Sequence, residues 1–110
     1  MFISAIDPEA VAAVGAIRGA LSTVEDPELG LDIVSLGLVY GIECSERRAR
    51  VVYSLTSMGC PVGPMIDAEI RQVVARVDGI QSVDTELVFD PPWSPEKMSD
   101  DARFLLGVYG

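Results

Sequence analysis

The residue with the greatest capacity for chemistry is Cys60, in the segment Met58-Gly59-Cys60-Pro61-Val62. An alternating, strand-like run over residues 51–56 ends just before it. A helix-period apolar pattern begins just after it, with Pro61 at the expected first helical position. A cysteine at such a junction faces the positive end of a helix dipole, which stabilises its thiolate. Thiolates attack electrophiles and bind soft metals, so both kinds of chemistry are open to Cys60.

A second set of chemically capable residues is acidic and lies upstream. Asp26, Glu28 and Asp32 fall within a stretch that Pro27 and Gly30 interrupt. Two interpretations stay open. The carboxylates can accept hydrogen bonds from nearby backbone N–H groups and so order the loop. Alternatively, they supply hard oxygen donors beside a soft thiolate, a combination suited to holding iron transiently.

Four further residues are candidates for supporting roles around the thiol. Thr56 and Ser57 either orient the thiolate through O–H···S contacts or only complete the strand. Gly59 would let backbone, a ligand or a partner approach the thiol closely. Trp93, between prolines, is either a partner contact or a cover for the end of the core.

The composition narrows what Cys60 can do. The chain of 110 residues contains no histidine and two cysteines, Cys44 and Cys60. A Cys–His pair is therefore excluded, and one chain cannot complete a four-ligand zinc or iron–sulfur site from these residue types. Cys44, at the far end of a predicted hairpin, is expected to be a small buried apolar residue.

Charge and hydropathy bear on where the protein acts and on what it binds. The net charge is −9 at pH 7, and so acidic a surface repels nucleic acid backbones and anionic membranes. No apolar run approaches the ~20 residues that span a bilayer, and no basic segment typical of a secretion signal is found. We expect a cytoplasmic protein that binds neither nucleic acid nor membrane.

Hydrophobic periodicity predicts a single α+β domain over residues 1–110. We expect a three-stranded mixed sheet with helices packed on one face, because a strand–helix–strand step favours a right-handed parallel crossover. Asp67 and Arg71 are placed on the solvent side of the middle helix. The predicted order is α-β-β-α-β-α: a helix over 8–22 that Asp7 caps, strands over 38–43 and 51–56, a helix from Pro61 to Val77, a strand over 83–89, and a short helix from Ser99 to Leu106.

Three stretches, in this order and spacing, resemble a known family. They are Asp26-Pro27-Glu28-Leu29-Gly30-Leu31-Asp32-Ile33-Val34-Ser35-Leu36-Gly37-Leu38-Val39-Tyr40, then Leu55-Thr56-Ser57-Met58-Gly59-Cys60-Pro61, and last Asp90-Pro91-Pro92-Trp93-Ser94-Pro95-Glu96-Lys97-Met98-Ser99. Together they are similar to the SufT/PaaD-like metal–sulfur cluster assembly domain. The match covers nearly the whole chain, and the three motifs in this order are highly specific.

The resemblance implies a small α/β fold and a role in maturing iron–sulfur proteins. It also implies that Cys60 is the functional cysteine, and that Asp26, Glu28 and Asp32 occupy other characteristic positions. We therefore take Cys60, Asp26 and Glu28 as candidate metal ligands. The expected supporting residues of the same pocket are Asp32, Thr56, Ser57, Gly59 and Pro61.

The first of three functional hypotheses is a non-enzymatic iron–sulfur assembly factor that acts through Cys60. Because one cysteine per chain cannot hold a cluster, iron or a labile cluster would be shared between chains or with a client. The expected partners are iron–sulfur assembly proteins and apo-client proteins. A homodimer is also expected, since a small sheet leaves strand edges exposed.

Two other hypotheses remain open. The protein could be an adaptor that recruits assembly proteins to apo-clients without touching the metal. It could also be a cysteine-nucleophile enzyme such as a thiol transferase, although it lacks a histidine base and a helix N-terminus alone activates a thiol only modestly. Loss of function on Cys60→Ala would argue against the adaptor.

Overall fold

A computed structural model describes residues 1–5, 8–57, 59 and 61–107. No helix in those ranges is long and apolar enough to cross a membrane. The strands are β1 (Phe2–Ala5), β2 (Glu25–Asp26), β3 (Leu31–Asp32), β4 (Val39–Ser45), β5 (Arg48–Tyr53) and β6 (Ser82–Leu87), and the helices are α1 (Pro8–Leu21), α2 (Gly63–Ala75) and α3 (Asp100–Leu105), with a 3₁₀ turn over Pro95–Lys97.

The main sheet has four strands in the order β1-β4-β5-β6. β4 and β5 form an antiparallel hairpin, while β1 pairs with β4, and β6 with β5, in parallel. The short strands β2 and β3 pair separately as an antiparallel ribbon. The predicted mixed sheet and the parallel β5–α2–β6 crossover are confirmed.

The predicted strand count and element order are wrong. The sheet contains a fourth strand, β1, over Phe2–Ala5 ahead of the first helix, and the ribbon strands lie where only a loop was expected. These strands are two to four residues long, too short for a periodic pattern to reveal them. Their hydrogen bonds come from pairing with segments distant in sequence or across a tight turn. Composition within the strand carries little of that information.

The two longer helices cover the same face of the sheet. α1 packs on β4, α2 packs on β6, and the helices contact each other. The buried residues of α1 recur at helical spacing: Ala10, Val14, Ile17 and Leu21. This confirms the predicted helix over 8–22 to within one residue, whereas its predicted cap, Asp7, lies outside the described residues.

The middle helix begins later than predicted. α2 starts at Gly63 with Val62 as its N-cap, so Pro61 is not the first helical residue; it lies in a turn before the helix. The proline of the first turn is Pro64 instead, which is tolerated there because the first turn has no intrahelical use for its N–H. Three residues of the apolar stripe of α2 are buried, namely Ile66, Ile70 and Val74, whereas Met65 is 45% exposed.

The two ends of the sheet differ in character. At one end, the Glu46-Arg47 turn joins β4 to β5, and Cys44 beside it is buried as expected. At the other, which we call the loop end, β4 begins and β5 finishes, and Ser54 N–H donates to the Leu38 carbonyl at 2.8 Å. The acidic ribbon precedes β4 and the segment that bears Cys60 follows β5. Strand order therefore brings the acidic ribbon and the described neighbours of Cys60, Gly59 and Pro61, to the loop end.

Candidate functional site

Asp26 organises the acidic turn at the loop end. Its side chain is completely buried, and its Oδ1 accepts hydrogen bonds from the N–H groups of Glu28 at 2.8 Å and Leu29 at 3.3 Å. The backbone carbonyl of Asp26 accepts a further bond from Gly30 N–H at 2.7 Å. An aspartate that accepts bonds from the backbone two and three residues later is the standard means of closing such a turn.

The other oxygen of the Asp26 carboxylate lacks the hydrogen bonds that Oδ1 accepts. Asp26 Oδ2 is buried and has no hydrogen-bond partner among the residues that the structure describes. A buried polar atom without a partner costs about 1–3 kcal/mol, and more when the group carries charge. This oxygen is therefore the point on the acidic ribbon where a proton donor or a cation would relieve most free energy.

The two neighbouring acids behave differently from Asp26. Asp32 is half-buried, and its Oδ2 accepts a hydrogen bond from Ser35 N–H at 2.9 Å. That contact is of the kind that turn ordering requires. Glu28 is exposed to solvent, so its carboxylate is free of the desolvation that acts on Asp26.

Hydrogen bonds hold the segment that carries Trp93 against the end of the acidic loop. Trp93 is half-buried, and its Nε1 donates to the Leu36 carbonyl at 2.7 Å. Ser99 N–H donates to the Ser35 carbonyl at 2.8 Å. Gly37 has a φ of 73°, and a Cβ at that position would overlap the carbonyl of Lys97. Whether Trp93 also contacts a partner stays a prediction, but its ring already serves to hold this loop.

The segment after β5 is described in part. Thr56 is half-buried, whereas Ser57, Gly59 and Pro61 are exposed, and Gly59 has a φ of 75° that disfavours any side chain. Met58 and Cys60 lie outside the described residues, so the predicted role of Cys60 stays a prediction. Within the described residues, no three Cys, Asp or Glu side chains lie close enough together to hold a metal ion.

Sequence reasoning missed a polar cluster between α2 and the sheet. The carboxylate of Asp67 accepts hydrogen bonds from Tyr53 Oη at 2.8 Å and from Thr85 Oγ1 at 2.7 Å, both at Oδ1. Arg71 Nε donates to Asp67 Oδ2 at 2.9 Å, and Arg71 Nη2 donates to Thr85 Oγ1 at 2.7 Å. The predicted solvent placement holds for Arg71, which is 49% exposed, and only in part for Asp67, which is 30% exposed, because the parallel crossover lays this side of α2 against β5 and β6. The i, i+4 spacing of Asp67 and Arg71 was the available signal.

The cluster shifts the titration of two of its members. Burial raises the pKa of Tyr53, and the hydrogen bond to Asp67 raises it further. Burial alone would raise the pKa of Asp67, but hydrogen bonds from Thr85, Tyr53 and Arg71 outweigh it and hold that pKa below its ordinary value. Asp67 is therefore a fixed negative charge in the first turns of α2, and it ties the start of this helix to the sheet.

The fold and the loop end together define a small α+β domain with an acidic ribbon at one end of a mixed sheet, the end at which β5 leads into Gly59 and Pro61. The chain belongs to the iron–sulfur cluster assembly protein family, to which residues 15–86 match. This confirms the resemblance seen in the three motifs.

Curated relatives and solved structures agree with that assignment. The chain is 43% identical to an Fe-S protein maturation auxiliary factor of Bacillus subtilis, YitW, over 84% of this chain and 91% of that one. It is 45% identical to the Fe-S protein maturation auxiliary factor SufT of Staphylococcus aureus, over 77% and 98% respectively. A crystal structure of a domain of unknown function from Bacillus anthracis superposes with a TM-score of 0.85 at 36% identity, covering 90% of this chain and 95% of that one.

Proposed function

We propose that the protein is a non-enzymatic assembly factor that holds iron or a labile iron–sulfur cluster through Cys60 and passes it to client proteins in the cytoplasm. Membership of the iron–sulfur cluster assembly protein family supports this role. The names of the Bacillus and Staphylococcus relatives, both maturation auxiliary factors, support it further.

The observation that best supports the proposal is that the two carboxylate oxygens of Asp26 have different surroundings. One of its oxygens closes the turn, while the other is buried without a partner among the described residues. Gly59 and Pro61, the described neighbours of Cys60 in sequence, follow β5, which finishes at the same end of the sheet. An iron ion held by the Cys60 thiolate would take Asp26 Oδ2 as a hard oxygen ligand, and the thiol would lose its proton to solvent on binding.

The remaining coordination positions would come from outside the pair. We expect Glu28, which is exposed and two residues beyond Asp26, to act as an exchangeable ligand. Further ligands would be a second chain's Cys60, a small thiol, or the client's own cysteines. A site so incompletely ligated holds its cargo weakly, which suits transfer. One tightly held cluster per monomer would contradict this arrangement.

Anaerobic reconstitution with iron and sulfide tests the proposal, comparing wild type, Cys60→Ala and Asp26→Asn. The asparagine keeps an oxygen that can accept the Glu28 and Leu29 hydrogen bonds and alters only the unpartnered position. The matched control is Glu25→Gln, which removes the same charge from an exposed neighbouring residue. Visible absorption, iron per chain and size exclusion are measured, and a thermal melt checks folding.

We expect cysteine-dependent colour in wild type, at well under one cluster per chain and accompanied by a dimer. Asp26→Asn should melt near the wild-type temperature yet take up much less iron, whereas Glu25→Gln should match wild type. Equal iron uptake by Asp26→Asn and wild type would remove Asp26 from the site. No uptake by any variant would overturn metal binding and leave the adaptor function, in which Cys60→Ala still supports client maturation.

A further inference from the structure

The face of the sheet opposite the helices carries an apolar surface that the proposed iron site does not use. Val52 is 7% exposed but lies outside the main core, whereas its neighbours Val51 and Tyr53 belong to it. Because side chains alternate along a strand, Val52 points to this open face. Its cross-strand partner Gly41 lies under the ring of Phe2, which occupies the space of a Cβ there.

A cavity of about 570 Å³, which we call the open-face cavity, lies near the loop end where the edge of this face meets β1, and Arg18 of α1 also lines it. Its apolar lining includes Val39 and Val52 from the sheet, Phe2 from β1, and Val88 and Pro91 from the segment after β6. Sites for small organic ligands measure about 300–1,000 Å³ and are mostly apolar with a few polar groups. The cavity is within that range and has that kind of lining.

The charged groups around the open-face cavity are mainly cationic. Arg18 and Lys97 line it, with Asp90 as its acidic side chain. Within the described residues neither cation makes an ion pair, and Lys97 Nζ lies 5.2 Å from the centre of the Tyr40 ring. The chain has 17 acidic and 8 basic residues, so a local surplus of positive charge runs against its composition.

A second cavity at the opposite end of the sheet provides a contrast. Its volume is about 550 Å³, and it lies between α1 and the turn that joins β4 to β5. Arg47 and Arg76 line it together with Glu9, Glu46 and Asp78, so its acids outnumber its bases. Two cavities of nearly equal size therefore differ in the sign of their charge, which makes the second an internal control for the first.

We propose that the open-face cavity binds a small amphiphilic carboxylate with an aliphatic chain of medium length. The chain would lie on Val39, Val52 and Val88, and the carboxylate would reach Lys97 and Arg18 at the rim. Cations that make no ion pair with any described residue, at the edge of an apolar floor, fit an anionic head on an apolar tail. This site uses none of the proposed iron ligands Cys60, Asp26 and Glu28, although Val34 and Gly37 of the acidic loop also line it.

Titration with hexanoate, octanoate and decanoate, below their micelle concentrations, tests the proposal by calorimetry and methyl NMR. Each added methylene should tighten binding about fourfold, as expected for burying a CH₂ group. Octylamine, with the same tail and the opposite charge, should bind far more weakly than octanoate. The methyl signals of Val39, Val52 and Val88 should shift, and those of Val77 and Ile80 in the second cavity should not.

Charge-changing variants distinguish a specific contact with the charged rim from non-specific apolar binding of octanoate. Lys97→Glu should weaken octanoate binding at least about tenfold, because it removes a charge-assisted contact, while Lys97→Arg should retain it. Arg76→Glu makes the same charge change at the second cavity and should leave affinity within about twofold of wild type. Equal affinity for octanoate and octylamine, or an unchanged affinity in Lys97→Glu, would overturn the proposal. A shift of the Val77 methyl signals on addition of octanoate, equal to that of Val52, would also overturn it.

Discussion

Removing the carboxylate of Asp67 should destabilise the fold more than its position on a helix suggests. In Asp67→Ala, the hydroxyl of Tyr53 loses its acceptor, and Tyr53 is 3% exposed. An unsatisfied buried hydroxyl costs about 1–3 kcal/mol. Arg71 is 49% exposed and can turn to water, so its lost ion pair adds at most about 1 kcal/mol. We expect a total loss of about 2–3 kcal/mol.

The pH dependence of this loss has a definite sign. The pKa of Asp67 is lower in the folded protein than its ordinary value of 3.8. Its ionised form therefore stabilises the fold at pH values above 3.8, and that contribution disappears as the pH falls through the lower folded-state pKa. Asp67→Asn, which cannot ionise, should differ most from wild type near neutral pH. The difference should shrink as the solution becomes strongly acidic.

Urea unfolding followed by circular dichroism, at about pH 7 and about pH 3, measures both effects. Glu69→Gln is the matched control. It neutralises an acid on the same helix for which the described residues provide no ion pair, and it should change the free energy of unfolding by less than about 0.5 kcal/mol. If Asp67→Ala unfolds at the wild-type midpoint at neutral pH, or if Asp67→Asn differs from wild type equally at both pH values, the assigned cluster is wrong.

Three further substitutions test other contacts at the loop end and on the open face, each by thermal melting. Gly37→Ala should lower the free energy of unfolding by about 3 kcal/mol, because the backbone is left-handed and the new Cβ would clash with the Lys97 carbonyl. Gly30→Ala has the same backbone conformation but no neighbouring atom among the described residues to clash with, so it should cost about 1 kcal/mol. Equal losses would refute the clash. Arg50→Ala breaks exposed ion pairs on both sides and should cost under about 1 kcal/mol, less at high salt; a larger, salt-independent loss would contradict this. Trp93→Phe should cost about 1 kcal/mol through its bond to Leu36, and an unchanged melting temperature would show that bond to be dispensable.

The elements that the sequence predicted well are those whose signal is local. The buried stripe of α1 repeats along the helix itself, so Val14, Ile17 and Leu21 mark it without reference to the rest of the chain. Alternation also revealed the β4–β5 hairpin and β6, although β5 runs over Arg48–Tyr53 and so begins three residues before the predicted strand over 51–56. β1 was missed because its four residues become a strand by pairing in parallel with β4, and only the tertiary fold specifies that partner.

The middle helix shows a second limit of periodicity. Apolar spacing on α2 marks Ile66, Ile70 and Val74, which are buried, and leaves Asp67 among the polar positions. It could not show that the crossover would press this polar side against Tyr53. Hydrophobic spacing separates apolar from polar positions, but a polar position can face solvent or a buried hydroxyl, and that depends on the neighbouring strand.

For the candidate site, the sequence identified the acidic stretch that contains Asp26. It treated turn ordering and ligand binding as alternative roles for that residue. Because the carboxylate has two oxygens, one oxygen can close the turn while the other binds a ligand. The hydrogen bonds from Glu28 and Leu29 to Oδ1 hold the side chain in the core, and this same ordering strips water from Oδ2. A desolvated carboxylate oxygen attracts a cation more strongly than a solvated one, because the local dielectric screens it less. Weakening the turn should therefore weaken iron binding even where the ligand atom is retained: Leu29→Pro, which removes one donor, should lower iron uptake in proportion to how far it exposes Asp26. If Leu29→Pro destabilises the turn and iron uptake still equals that of wild type, then turn closure and iron binding by Asp26 are independent of each other.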